Sequence, residues 1–154
     1  MNYIRGIDEK QMNRIWAVLR LFFMREGFAR AAYIKKKNLF GSIGNNCYYH
    51  PFVIPAESKM ITMGDNVVIA KGVELITHDM SYALFSHDEK LVDDIGPGKY
   101  PYYKKGITIG NNVMIGANSL IMPGVSIGSR VVVGGGYGSY SRYSRWSYSC
   151  WSTR

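Results

Sequence analysis

The chain has 154 residues, 47% of them hydrophobic, with 17 glycines and a formal net charge of +8. That length makes one domain, or one domain with a small appendage, and the apolar content excludes wholesale disorder. Cys47 and Cys150 form neither a metal motif nor a disulfide framework, which favours a reducing, cytoplasmic setting.

Residues 1–40 read as an N-terminal helical segment. Ile15, Val18, Leu19 and Phe22 stand at i, i+3, i+4 and i+7, the spacing of one apolar helix face. One or two amphipathic helices are expected from about Asp8 to Lys37, with Gly27 as the candidate break. The run Ile15–Met24 is the candidate membrane or signal segment. It is too short to span a bilayer and Arg20 interrupts it. No small-residue cleavage pattern follows it, so stable membrane insertion is not expected. A membrane-surface helix ending at Lys35-Lys36-Lys37 is the functional alternative to plain core packing.

A six-residue beat then takes over. Aliphatic residues recur at Ile109, Ile115, Ile121, Ile127 and Val133, and earlier at Met63, Ile69 and Leu75. A small residue usually follows, as at Gly64, Ala70, Gly110, Gly116, Gly128 and Gly134. No helix buries residues at a period of six. Short strands joined by a turn every six residues do, with the aliphatic inward and the small residue at the corner. Three such strands close one coil of about eighteen residues, and coils stack about 4.8 Å apart. Residues 41–136 are therefore expected to be an all-β solenoid, a parallel β-helix. A sandwich would instead alternate at period two between hairpin turns.

An insertion at about 79–106, "DMSYALFSHDEKLVDDIGPGKYPYYKKG", breaks the beat. Loops on rigid scaffolds commonly carry function. His78 closes the array just before it. An imidazole titrating near neutrality suits removal of a proton from an attacking hydroxyl. His50 and His87 lie in no motif and read as ordinary surface or core residues.

The stretches "ITMGDNVVIAKGVELITHD" (Ile61–Asp79) and "ITIGNNVMIGANSLIMPGVSIGSRVVVGG" (Ile107–Gly135) resemble the hexapeptide-repeat acyltransferases, on the branch of the maltose and galactoside O-acetyltransferases. The resemblance implies a left-handed coil, a homotrimer, acetyl-CoA as donor and a sugar or saccharide as acceptor. It implies His78 as general base, with no metal required. Met114, Ala117 and Gly135 match the family's coenzyme A contacts, although the family often has Trp where Met114 stands. Asp79 is a candidate either to orient the imidazole or to contact the acceptor, and Tyr82, Tyr102 and Tyr103 are candidate acceptor contacts, since aromatic faces suit sugar rings. A zinc-dependent γ-class carbonic anhydrase shares the fold, but His78 and His87 lack its ligand spacing. A catalytically impaired β-helix acting as a scaffold is the alternative.

After Gly135 the beat stops and "YGSYSRYSRWSYSCWSTR" follows, from Tyr137 to Arg154. Members of the family continue instead with an ending like "SVVTKDIPDNSVVAGVPAKVI". Read one nucleotide later, each Trp codon gives glycine, at 146 and again at 151. Permitted codons then turn Tyr137–Thr153 into "MVVTRDIPDGVIVAGVP", in register and without a gap. Residues 137–154 are expected to be an aberrant, disordered tail from a frameshift beginning at about Gly136. A basic, aromatic extension for nucleic acid or glycan is the weaker reading, and no nucleic-acid partner is expected.

Overall fold

The computed structural model describes residues 9–79, 103–136, 138–139 and 148–149. It opens with two helices, α1 (Glu9–Phe23) and α2 (Gly27–Lys36), so the break falls where Gly27 marks it. Gly27 suits that place because a Cβ there would lie 2.6 Å from the Tyr48 ring. α2 buries Gly27, Arg30, Ala31 and Ile34, one helix face. Arg30 ties this face down. Its Nε donates to Tyr49 O at 2.9 Å, its Nη1 donates to Met24 O at 2.8 Å, and its guanidinium lies 4.6 Å from the Phe52 ring centre. α1 differs from expectation. Among its described side chains Ala17 and Leu21 are buried and Val18 is half-buried, while Ile15, Leu19 and Phe22 are exposed. Periodicity marked an apolar face but not the direction it points.

Strands follow in chain order: β1 (Ser42–Ile43), β2 (Tyr48–Tyr49), β3 (Ile61–Met63), β4 (Val67–Ile69), β5 (Glu74–Leu75), β6 (Ile107–Ile109), β7 (Val113–Ile115), β8 (Leu120–Ile121), β9 (Ser126–Ile127), β10 (Val131–Val133), β11 (Gly138–Ser139) and β12 (Tyr148–Ser149). All pairs between them are parallel, in three sheets ordered β1-β3-β6-β9, β2-β4-β7-β10-β12 and β5-β8-β11. The chain visits the sheets in turn and so winds a three-sided coil. Thr108 pairs with Ser126, Val113 with Val131 and Leu120 with Gly138, each one coil on. Across the insertion Ile61 pairs with Ile107, Val67 with Val113 and Glu74 with Leu120. All three sheets are offset equally there, so the coil resumes in register after the interruption.

The beat residues fill the interior. Met63, Ile69, Leu75, Ile109, Ile115, Ile121, Ile127 and Val133 are at most 6% exposed. Burying each such side chain stabilises the fold by roughly 1.5–3 kcal/mol. Ser119 takes one interior place, with Oγ 2.8 Å from Gly116 O and 2.9 Å from Gly134 O. At one corner Asn46, Asn66, Asn112 and Arg130 take positive φ between 55° and 64°. Asparagine tolerates that left-handed conformation better than most residues. Asn66 Nδ2 donates to Asn112 Oδ1 at 2.8 Å, one coil to the next.

The first coil lacks a strand on its third side. Pro51 and Pro55 interrupt it, buried Ile54 fills the interior, and a short 3-10 turn at Ser58–Met60 leads into β3. The last coil is also irregular. β11 stands a full coil from β8, but β12 pairs Val132 with Tyr148 and Val133 with Ser149, two residues short of the usual spacing. At these four positions the tail forms strand rather than the disordered segment expected; its other residues lie outside those described. Among the described residues no helix is long and apolar enough to cross a membrane.

Candidate active site

His78 stands at the corner where the chain leaves the third sheet. Thr77 and Asp79 flank the start of the insertion, and residues 103–105 bring the chain back beside them. Lys105 N donates to Thr77 O and Asp79 N donates to Tyr103 O, both at 2.9 Å. His78 and Lys104 form an antiparallel bridge. The two ends of the insertion are thus tied together at His78, on a rigid coil.

Glu57 comes to the same place from the irregular side of the first coil. Its Oε2 lies 2.8 Å from His78 Nδ1 and accepts a hydrogen bond from Thr77 Oγ1 at 2.7 Å. His78 and Glu57 side chains are 28% and 20% exposed, so the pair is half-buried but reachable. A carboxylate on Nδ1 favours the tautomer with the proton on that nitrogen, which leaves the lone pair on Nε2. Such an arrangement takes up a proton at Nε2 and stabilises the imidazolium that results. Sequence reading missed Glu57. It lies off the beat, and only the stacking of coils brings it to His78.

A cavity of about 550 Å³ opens beneath β5, where the first coil has no strand; neither His78 nor Glu57 lines it. Its walls include His50, Phe52, Lys71, Glu74 and Ile76. Tyr49 at its floor is buried and donates from its hydroxyl to Val53 O at 2.7 Å. Burial pushes the Tyr49 hydroxyl well above its ordinary range, against the opposing pull of Arg30.

Met114, Ala117 and Gly135 are all exposed. Met114 faces outward from β7 between Val68 and Val132. Ala117 and Gly135 stack at the corner between the second and third sheets, and a Cβ on Gly135 would lie 2.9 Å from Ala117 O. That corner offers bare backbone on which an extended ligand can lie. It is not the corner of His78; the width of the third sheet separates them within one chain. Asp79 is exposed, and so is Tyr103, at the other end of the insertion. Tyr82, Tyr102 and His87 lie outside the described residues. Among the described residues no three His, Cys, Asp or Glu side chains converge as metal ligands.

The bacterial transferase hexapeptide family (six repeats) matches residues 106–136. Galactoside O-acetyltransferase of Escherichia coli K12 is 36% identical over 96 residues, covering 61% of this chain and 41% of that protein. Protein CapG of Staphylococcus aureus is 36% identical over 95 residues, covering 60% of this chain and 50% of that one. The chain thus spans about half the length of the curated relatives it matches. Among solved structures, a hexapeptide-repeat acetyltransferase from Vibrio cholerae superposes with a TM-score of 0.55 at 22% identity, over 88% of this chain and 84% of that one. The same Vibrio protein has been solved complexed with acetyl coenzyme A, and that structure superposes with a TM-score of 0.50 at 19% identity, over 94% of this chain and 85% of that one. This chain therefore carries the hexapeptide repeat of the bacterial transferases and resembles the galactoside O-acetyltransferase branch of the hexapeptide-repeat acyltransferases.

Proposed function

We propose that this chain is an acetyl-CoA-dependent O-acetyltransferase acting on a hydroxyl of a sugar or saccharide. The observation that carries the reading is the Glu57–His78 pair at the neck of the insertion. In this reading the acceptor hydroxyl oxygen attacks the thioester carbonyl while His78 Nε2 removes the hydroxyl proton. Glu57 holds the ring and offsets its positive charge. The C–O bond forms, the C–S bond breaks, and His78 returns the proton to the departing thiolate. Acetyl-CoA supplies an acyl group that is already activated, so no acyl-enzyme is needed.

Met114, Ala117 and Gly135 are proposed to hold the coenzyme A arm, and Asp79, Tyr82 and Tyr102 to contact the acceptor. The separation of the two corners supports a homotrimer. A neighbouring copy turned about a threefold axis can set its Ala117–Gly135 corner beside this chain's His78, which one chain alone does not do. The outward column Val68, Met114, Val132 on the second sheet suits such a contact. A left-handed coil is proposed with the rest, supported by the named acetyltransferases it superposes on. The chemistry as written requires no metal.

We infer also that residues 137–154 are a frameshifted ending. The two-residue slip between Val132 and Tyr148 supports this reading, since a continued beat would pair Val132 with residue 150.

The test is release of free coenzyme A thiol from acetyl-CoA over a panel of sugar acceptors, with His78→Ala as control. Acceptor-dependent release lost in His78→Ala is the expected result. Release that survives the substitution rejects His78 as base. Binding of acetyl-CoA without turnover on any acceptor favours the scaffold alternative.

A further inference from the structure

α1 turns its larger apolar face away from the protein. Ala17 and Leu21 are 4% and 0% exposed, whereas Met12, Ile15, Trp16, Leu19, Phe22 and Phe23 are between 40% and 80% exposed. At about 100° per residue these six fall in one arc of roughly 120°, opposite Leu21. Scattered surface apolar residues are ordinary, but a contiguous patch marks an interaction site.

The patch continues into a groove between α1 and α2. Trp16, Leu19, Phe23 and Tyr33 line it with Arg20 and Lys37, around about 630 Å³. The Arg20 guanidinium lies 5.7 Å from the Tyr33 ring centre, so the aromatic face supports the cation beside the groove. Lys35 and Lys36 are exposed on α2, and Arg25 is exposed in the turn between the two helices. From Gln11 to Lys37 the sequence carries seven basic residues and one acid, Glu26.

We propose that this face docks on the surface of an anionic lipid bilayer. Trp16, Leu19 and Phe23 enter the boundary between headgroups and acyl chains, and Arg20 and Lys37 meet lipid phosphates. An amphipathic helix of this kind lies in the plane of the interface, with its apolar face about 5–10 Å deep. Charge decides between occupants. A second copy seated here by the same face would bring Arg20 and Lys37 against cations of its own kind, whereas an anionic surface complements them. The contact is peripheral, since no described helix can span a membrane. It stands independently of acetyl transfer, and its readout is lipid partition.

The full chain is sedimented with vesicles of phosphatidylglycerol and phosphatidylcholine, and with phosphatidylcholine alone. Binding to the anionic vesicles, weakened by high salt and slight on the neutral ones, is expected. Trp16→Ser with Phe23→Ser should lower partition at least tenfold, through the loss of two buried apolar side chains. Arg20→Gln with Lys37→Gln should lower it about fivefold for each cation removed. This second pair touches no buried residue and keeps the test decisive if the first pair unfolds the helices, which circular dichroism reports. Absence of binding to anionic vesicles overturns the proposal, as does binding that both variants leave unchanged. It is equally overturned if Trp16→Ser with Phe23→Ser reduces the assembly's mass in lipid-free sedimentation equilibrium while leaving vesicle binding intact. The face would then be a contact between copies of the chain.

Discussion

Glu57 Oε2 stands 2.8 Å from His78 Nδ1, across a corner that the two residues reach from successive coils. The same oxygen takes the Thr77 hydroxyl, so one carboxylate fixes both the ring and the residue before it. A histidine at the mouth of a loop has many available rotamers. Here the Glu57 carboxylate engages the ring through Nδ1 and favours the tautomer protonated there.

Replacing the charge without the shape should expose that role. Glu57→Gln keeps an oxygen for Nδ1–H but loses the charge-assisted bond, which contributes about 1.5–3 kcal/mol. A loss of about 10- to 100-fold in kcat, with KM little changed, is expected. His78→Ala should cost about 10²–10⁴-fold. In the His78→Ala background, Glu57→Gln should add almost nothing, because the two act as a unit. Steady-state kinetics on the four variants check this, and additive losses would reject it.

The coil was legible because its signal is periodic. Ile109, Ile115, Ile121 and Ile127 point inward for the reason the beat gave, and His78 was legible as the residue that closes an array. Glu57 was not, because the segment from His50 to Met60 obeys no period. Its place depends on Ile54 filling the interior where a strand is missing. α1 shows the opposite failure. Its apolar spacing was real, but a helix packing through Ala17 and Leu21 turns the larger side chains outward, and spacing alone carries no direction.

The corner column Asn46, Asn66, Asn112, Arg130 suggests a stabilising change. Arg130 holds φ of 64° with a long side chain, where the three asparagines hold 55–57°. Left-handed backbone costs ordinary residues about 1–2 kcal/mol, and asparagine less. Arg130→Asn removes part of that cost and puts an amide in line with the bond from Asn66 to Asn112. A gain of about 1 kcal/mol, or a Tm raised by about 2–4 °C, is expected in a thermal melt. An unchanged or lower Tm would show that Arg130 makes a compensating contact.

Gly116 is buried at the corner beneath Gly135. A Cβ there would lie 2.5 Å from Gly135 N and 2.8 Å from Gly134 C, backbone atoms that cannot swing aside. Gly116→Ala should cost about 1–3 kcal/mol as an overpacked site. It should also displace Gly135, so acetyl-CoA binding weakens more than kcat falls. Calorimetric titration with acetyl-CoA beside a melt tests both effects. Lost stability with unaltered affinity would remove Gly135 from the donor site.

The tail bears on stability through register. β11 keeps the full spacing from β8, with Gly138 over Leu120, yet β12 stands two residues early against β10. Parallel backbones pair whatever their side chains, so strand can form in a sequence that has lost its beat. A slip of two leaves the inward and outward alternation intact, but it puts different residues of the six-residue repeat on each position, and the repeat assigns its aliphatic and its corner residue by count. A chain carrying "MVVTRDIPDGVIVAGVP" from residue 137 restores the count, sets residue 150 over Val132, and offers Ile and Val to cover the open end of the coil. It should melt higher than the present chain and bind acetyl-CoA more tightly. The coding sequence supplies the first check, since codons unable to give "RDIPDG" in the next frame rule the frameshift out. The paired melts supply the second: equal Tm values would mean that the present ending caps the coil as well as the restored one.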